Sequence, residues 1–220
     1  MIDKIVDTVA RALDGIADGA VVAVGGFGDS GVPGALLTGL LEAGISGLTI
    51  ISNNAGTERH GLSALFAAKR VRKIVCSFPR STGSVEFDRQ YAAGLVELEV
   101  VPQGTLSERL RAAAAGLGGF YTPTGAGTLL ARDKECRDFD GRSYLLERPL
   151  QPDVALVRGD RADRFGNLTH HSAARNFGPV MAAAAKLSIA EVRAVVPLGE
   201  LDPEIIVTPG IFVDRVVEVG

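Results

Sequence analysis

Asp18-Gly19-Ala20-Val21-Val22-Ala23-Val24-Gly25-Gly26-Phe27-Gly28-Asp29-Ser30-Gly31-Val32-Pro33 is the stretch on which the reading of the fold turns. Ala20 to Val24 is short and wholly apolar, which suits a strand covered on both faces, as in a parallel sheet. Asp18-Gly19 turns the chain into it. The glycines that follow allow a sharp bend and close approach of the backbone to another group. Pro33, whose φ is already helical, stands where the first turn of a helix should begin. Leu36, Leu37, Leu40 and Leu41 then give that helix its buried face.

The same unit recurs downstream. Leu48 to Ile51 reads as a strand and Leu62 to Arg70 as a helix; Lys73 to Cys76 reads as a strand and Glu86 to Ala93 as a helix. Val96 to Val101 is the next strand. Thr105-Leu106-Ser107-Glu108 then resembles a capping box opening another helix. Upstream, Ile2, Ile5, Val6, Val9, Leu13 and Ile16 share one stripe at helical spacing, which predicts an N-terminal helix. Such alternation implies right-handed βαβ units, hence an α/β protein with a mainly parallel open sheet and flanking helices.

After Gly116 the rhythm changes. Phe120 to Gly127 is rich in Gly, Thr and Pro, and Arg137 to Arg148 reads as a hairpin turning at Asp140-Gly141. Asp153 to Val157, Ala190 to Val196 and Ile211 to Val217 read as strands, with a helix near Pro179 to Lys186. With no internal repeat or linker, residues 1–220 read as a single domain carrying an irregular, β-rich excursion in its second half.

Composition narrows the function. Hydrophobic residues are 46% and charged residues 22%, the balance of a folded chain. A net charge of −3 with dispersed Lys and Arg argues against a nucleic-acid partner, and the absence of Trp argues against base-stacking platforms. No apolar run approaches the roughly 20 residues of a membrane span. Cys76 and Cys136 form no C-x-x-C pair and read as reduced thiols, Cys76 an inert one in a core strand. The start lacks the apolar core of a signal peptide, so the expected compartment is the cytoplasm. His60, His170 and His171 are too few and too poorly spaced for a metal site, so no metal is expected.

Gly26-Phe27-Gly28-Asp29-Ser30-Gly31 fits G-x-G-x-x-G between a strand and a helix, the loop of a dinucleotide-binding oxidoreductase. That reading needs an acidic residue at the end of the second strand. Ser52-Asn53-Asn54-Ala55-Gly56 stands there instead, with no carboxylate. The loop is then either a steric turn or a contact surface for another ligand.

Further blocks stand in a fixed order. Gly25-Gly26-Phe27 through Gly31-Val32-Pro33 is followed by Ser52-Asn53-Asn54-Ala55-Gly56 and Val101-Pro102-Gln103-Gly104-Thr105-Leu106. Tyr121-Thr122-Pro123-Thr124-Gly125 and Ala174-Arg175-Asn176-Phe177 complete the set. Together they resemble the A subunits of family I CoA-transferases from about Ile2 to Val219. Val75-Cys76-Ser77-Phe78-Pro79-Arg80, Gly199 to Glu204 and Thr208 to Val213 look closer to the 3-oxoadipate enzymes than to the acetoacetate enzymes, which are the alternative.

The resemblance implies ping-pong chemistry. A glutamate attacks the acyl-CoA donor, passes through an anhydride to a glutamyl-CoA thioester, and is freed by the acceptor acid. The family carries that glutamate in a Ser-Glu-Asn-Gly block of the B subunit, and this sequence has no such block. Glu58, Glu86 and Glu108 lack its context, so no catalytic nucleophile is expected here and an obligate B subunit is, in a heterodimer or heterotetramer. Coenzyme A would be substrate and product, with no permanently bound cofactor; small carboxylic acids and acyl-CoA would be the other partners.

Gly25, Gly26, Phe27, Gly28, Asp29, Ser30 and Gly31 match the family's CoA-binding loop. Asn53, Asn54 and Gln103 would hold acyl oxygens, or cap turns. Thr122, Thr124 and Gly125 would line the same crevice, or form a structural turn. Arg80, or Arg175, would meet a second carboxylate of 3-oxoadipate or succinyl-CoA, or simply sit in solvent or in an ion pair.

Overall fold

The computed structural model describes residues 2–57, 61–80 and 84–220. In chain order the elements are β1 (Ile5–Val6), α1 (Val9–Ala12), β2 (Val21–Val24), α2 (Gly34–Glu42), β3 (Leu48–Ser52), α3 (Leu62–Ala67), β4 (Val71–Cys76), α4 (Val85–Ala92), β5 (Glu97–Val100) and α5 (Gln103–Ala114). Then come β6 (Phe120–Thr122), β7 (Cys136–Phe139), β8 (Arg142–Glu147), β9 (Val154–Arg158), β10 (Arg161–Ala162), α6 (Gly178–Ala184), β11 (Leu187–Val192), β12 (Ala194–Val195) and β13 (Arg215–Glu218). Short 3-10 turns lie between the later elements.

Among the described residues eight strands form one sheet in the order β1-β13-β11-β9-β2-β3-β4-β5, and every pairing in it is parallel. The order reverses between β2 and β9: from β2 the chain winds outward through β3, β4 and β5, then returns to β9 and winds the other way. In open α/β sheets a ligand crevice forms outside the strand C-termini at such a reversal.

Alternation along β2 explains both cores. Val22 and Val24 face a cluster with Leu36, Leu37 and Leu40 of α2 and Leu65 and Phe66 of α3. Ala23 faces the opposite cluster, with Leu106 and Leu110 of α5 and Met181 and Ala182 of α6. Ala23, Ala155 and Ala190 all lie on that second face, and their small side chains suit the close seat of α6, whose buried residues are Gly178, Met181, Ala182 and Ala184. The β-rich excursion is a separate antiparallel sheet, β6-β8-β7. Its hairpin turns at Asp140 (φ 48°) and Gly141 (φ 76°), the left-handed pair a tight two-residue turn requires.

Five expectations are corrected. The N-terminal helix is instead a short strand and one helical turn. Ile5 and Val6 pair with Val216 and Val217, which recruits them to the sheet edge, and Thr8 Oγ1 accepts from the Arg11 amide at 3.2 Å to start α1. Pro33 is the residue before α2, at ψ 76°, and not part of its first turn. Thr105 does not cap α5: the helix starts at Gln103 directly after Pro102, so Thr105 is buried inside the first turn and Glu108 binds Arg111. The strand placed at Ala190 to Val196 is divided: β11 ends at Val192, Arg193 leaves the ladder to donate its amide to the Asp160 carbonyl, and Ala194 and Val195 pair with β10 instead. Ile211 and Phe212 form a 3-10 turn before the last strand begins at Arg215.

Candidate active site

The loop after β2 is held at three points. The Gly25 amide donates to the Leu156 carbonyl at 3.0 Å, extending the ladder onto β9. Phe27 and Ser30 exchange backbone hydrogen bonds at 3.0 and 3.1 Å, closing a tight turn in which Gly28 takes φ +59°. Asn176 clamps the base: its Oδ1 accepts from the Gly26 amide at 3.0 Å, and its Nδ2 donates to the Ser30 carbonyl at 2.9 Å. At the tip, Asp29 accepts a hydrogen bond from the Thr57 hydroxyl.

Three neighbouring strand ends interlock beside the loop. The Asn53 carbonyl accepts from the amides of Ser77 (3.2 Å) and Phe78 (3.0 Å), joining the end of β3 to that of β4. Gln103, at the start of α5, donates Nε2 to Asn53 Oδ1 at 2.7 Å. With its oxygen engaged, Asn53 offers a ligand its amide NH2. Asn54 Oδ1 accepts from the Gly56 amide at 2.8 Å and fixes the turn that follows.

Two adjoining cavities result. One of about 320 Å³ is lined by Gly25, Gly26, Gly28, Asp29, Asn54 and Arg158, among others. The other, about 500 Å³, is lined by Phe27, Gly28, Asn53, Asn54, Ser77, Phe78 and Gln103. Gly28 and Asn54 belong to both, so the two make one crevice at the C-terminal ends of β2 to β4, at the reversal of strand order. Among the described residues Arg158, the last of β9, supplies its cation.

The positive end of α2 is already occupied. Glu191, 2% exposed in β11, accepts from the Leu36 amide through Oε2 at 3.0 Å, with the Ala35 and Gly34 amides also near its carboxylate. Burial pushes its pKa up; the Leu36 amide and the Arg158 guanidinium, 3.9 Å away, oppose that rise. A pyrophosphate seated as in a dinucleotide fold would meet this carboxylate, so the helix terminus is a poor phosphate site.

Of the residues singled out in the sequence, Gly25, Gly26, Phe27, Gly28, Asp29, Asn53, Asn54 and Gln103 converge on the crevice. Ser30 closes the loop's turn, and Gly31 is buried against Ala174 and Asn176. Thr122 and Gly125 stand apart: Thr122 pairs with Leu145 in the antiparallel sheet, and Gly125 packs on Leu130 and Leu145. Arg80 is exposed and donates Nε to Asp88 at 2.7 Å, and Arg175 is exposed. Glu86 and Glu108 pair with Arg89 and Arg111; Glu58 and His60 lie outside the described residues.

Cys76 is fully buried and its thiol is pushed up to about 12 by burial, which leaves it unreactive. His170 bridges the Arg158 carbonyl (3.1 Å) and Thr208 Oγ1 (2.9 Å), and burial lowers its pKa. Among the described residues no group of three His, Cys, Asp or Glu could hold a metal ion, and no helix is long and apolar enough to cross a membrane.

Arg158, Ser77, Glu191 and the clamp of Asn176 were not assigned from sequence. Finding Arg158 needs the knowledge that β9 lies beside β2, and strand order leaves no local mark.

A mainly parallel sheet with a crevice at its strand-order reversal, built from a glycine loop and neutral amides, defines an open-sheet α/β ligand-binding protein. The Coenzyme A transferase family profile matches residues 6–219, and the chain belongs to that family. It is 58% identical over 220 residues to the A subunit of the 3-oxoadipate CoA-transferase of Pseudomonas putida, covering 100% of this chain and 95% of that protein. It is 51% identical to the A subunit of the succinyl-CoA:3-ketoacid coenzyme A transferase of Xanthomonas campestris pv. campestris, covering 96% and 86%. An acyl-CoA transferase of Escherichia coli O157:H7 shares the fold, with TM-score 0.87 at 24% identity over 99% of this chain. This chain spans 47% of the length of that one.

Proposed function

We propose that this chain is the A subunit of a CoA-transferase that moves CoA from succinyl-CoA to 3-oxoadipate. One observation carries the reading. Among the described residues, Asp29 is the only carboxylate lining the crevice, and it is tied to Thr57; everything else there is a neutral donor, an apolar wall or Arg158. Such a crevice can bind an acyl group and polarise it, but it holds no free carboxylate nucleophile. The nucleophilic glutamate then comes from a partner B subunit, in a heterodimer or heterotetramer.

In the proposed reaction the partner's carboxylate attacks the succinyl thioester carbonyl and the CoA thiolate leaves. The thiolate then attacks the glutamyl carbonyl of the anhydride and releases succinate. The acceptor carboxylate attacks the resulting thioester, and the same steps in reverse deliver its acyl-CoA and free the glutamate. CoA is substrate and product throughout, with no resident cofactor. In this chain the loop from Gly25 to Gly31 receives CoA, while Asn53, Asn54 and Gln103 hold acyl oxygens.

Arg158 is our candidate for the second carboxylate of the dicarboxylate substrates, being the cation at the strand-order reversal. Arg80, Thr122 and Gly125 would contribute only if the B subunit or bound substrate brought them to the crevice. Residues 1–220 would act as one domain, and free thiols at Cys76 and Cys136 are compatible with the cytoplasm.

The test is acceptor choice by the assembled enzyme. With succinyl-CoA as donor, kcat/KM should be higher for 3-oxoadipate than for acetoacetate. The opposite order would favour the 3-ketoacid reading that the Xanthomonas relative suggests.

A further inference from the structure

Ser77 carries a hydroxyl that the described residues leave unused. Its Oγ is buried and has no hydrogen-bond partner among the described residues. It lines the crevice with Phe27, Asn53, Phe78 and Gln103. Its backbone is fixed, because the Ser77 and Phe78 amides both donate to the Asn53 carbonyl. A buried hydroxyl with no partner among the described residues is costly unless something else completes the bond. Thr49, Ser63 and Ser188 also carry unpartnered buried hydroxyls, but none of them lines the crevice.

We infer that Ser77 is a substrate-contacting donor of the transferase crevice, its Oγ–H turning out about χ1 from its buried position to hydrogen-bond the acyl oxygen that gains negative charge as the thioester carbonyl is attacked. The NH2 of Asn53, whose oxygen is held by Gln103, is the companion donor. No bond to Ser77 is made or broken and no proton leaves it; the hydroxyl stabilises charge that the reaction itself creates and removes. The inference rests on the CoA-transferase reading, and the experiment separates the two.

Wild-type enzyme, assembled with its B subunit, is measured first with succinyl-CoA and each of 3-oxoadipate and acetoacetate. If it transfers no CoA, the functional reading fails and this inference with it. Given wild-type transfer, Ser77→Ala should lower kcat by roughly 10- to 100-fold with both acceptors, since both present the same acyl oxygen. Its melting temperature should be unchanged or higher, because the lost hydroxyl had no partner. Ser77→Cys keeps the shape but donates weakly, and should fall with Ser77→Ala. Ser188→Ala, a change at an unpartnered hydroxyl in β11, should leave kcat unaltered. Undiminished kcat in Ser77→Ala, full activity in Ser77→Cys, or a loss confined to 3-oxoadipate would each overturn the inference. So would a fall in melting temperature matching the loss of activity.

Discussion

Asn176 Oδ1 accepts a hydrogen bond from the Gly26 amide at 3.0 Å although 150 residues separate the two. One side chain thereby sets the position of the crevice's glycine wall. The same oxygen takes the Phe177 amide at 2.7 Å, and Nδ2 reaches the carbonyls of Ser30, Ala173 and Ala174. Its own backbone, at φ 23° and ψ −115°, lies outside the left-handed helical region and in one that favours glycine. Asn176→Gly deletes the clamp and relieves that backbone, so its net cost is the clamp less the strain released. It should cost about 2 kcal/mol in urea unfolding, with a larger proportional loss of transfer activity than an equally destabilising change elsewhere. Stability equal to wild type would mean that the strain released matches the clamp.

The loop's glycines should separate stability from activity. A Cβ on Gly31 would lie 2.2 Å from the Ala174 carbonyl oxygen, with φ +73°, so Gly31→Ala must displace backbone. Its expected cost is on the order of 2–4 kcal/mol. A Cβ on Gly28 would meet nothing within 4 Å. Gly28→Ala should therefore cost only about 1 kcal/mol for its left-handed φ, yet raise KM for acyl-CoA by intruding on the crevice. Thermal melts and initial rates on the two variants check this. Similar behaviour in both would reduce the loop to a turn.

Glu191 gives a pH signature. Burial, opposed by the Leu36 amide and Arg158, holds its folded pKa above the ordinary carboxylate value. The folded state thus keeps this proton longer than the unfolded state. The associated stability is complete below the unfolded pKa and is lost as pH rises through the folded one. Glu191→Gln can still accept from Leu36 and does not titrate. The melting temperature of the variant minus that of wild type should rise as pH climbs above the ordinary carboxylate range. A flat difference would show that the folded protein accommodates the charged carboxylate as well as water does.

The two arginines should behave differently. Arg158→Met should lower kcat/KM for 3-oxoadipate by roughly 10- to 100-fold and that for acetoacetate by much less, with succinyl-CoA as common donor. Arg80→Met, which removes an exposed ion pair with Asp88, should change either value less than Arg158→Met does. Equal losses for both acceptors in Arg158→Met would assign Arg158 to the donor or to its buried neighbour Glu191.

What the sequence made legible was whatever leaves a local mark. The apolar run Val21 to Val24, the bend at Gly25-Gly26 and the α2 leucines identify β2, its loop and its helix within a short stretch of chain. Asn53, Asn54 and Gln103 could be marked because each follows a readable strand end. Long-range pairing is what stayed hidden. Ile5 and Val6 look helical by spacing and become strand only because Val216 and Val217 are beside them. Arg158 reaches the crevice and Asn176 its glycine loop through the β2–β9 adjacency and the return of the chain, and Glu191 caps α2 from a strand 155 residues further on. Arg80 ends a loop after a readable strand too, yet its guanidinium goes to Asp88, a choice made by side-chain geometry alone.

The central claim is that this chain supplies the crevice and its partner the nucleophile. Intact mass measurement tests it most directly. The assembled enzyme is incubated with succinyl-CoA without acceptor, denatured quickly, and both chains are weighed. The account predicts a mass increase on the B subunit corresponding to a CoA thioester, no change on this chain, and no labelling when this chain is incubated alone. A CoA adduct on this chain, whether alone or assembled, would contradict it.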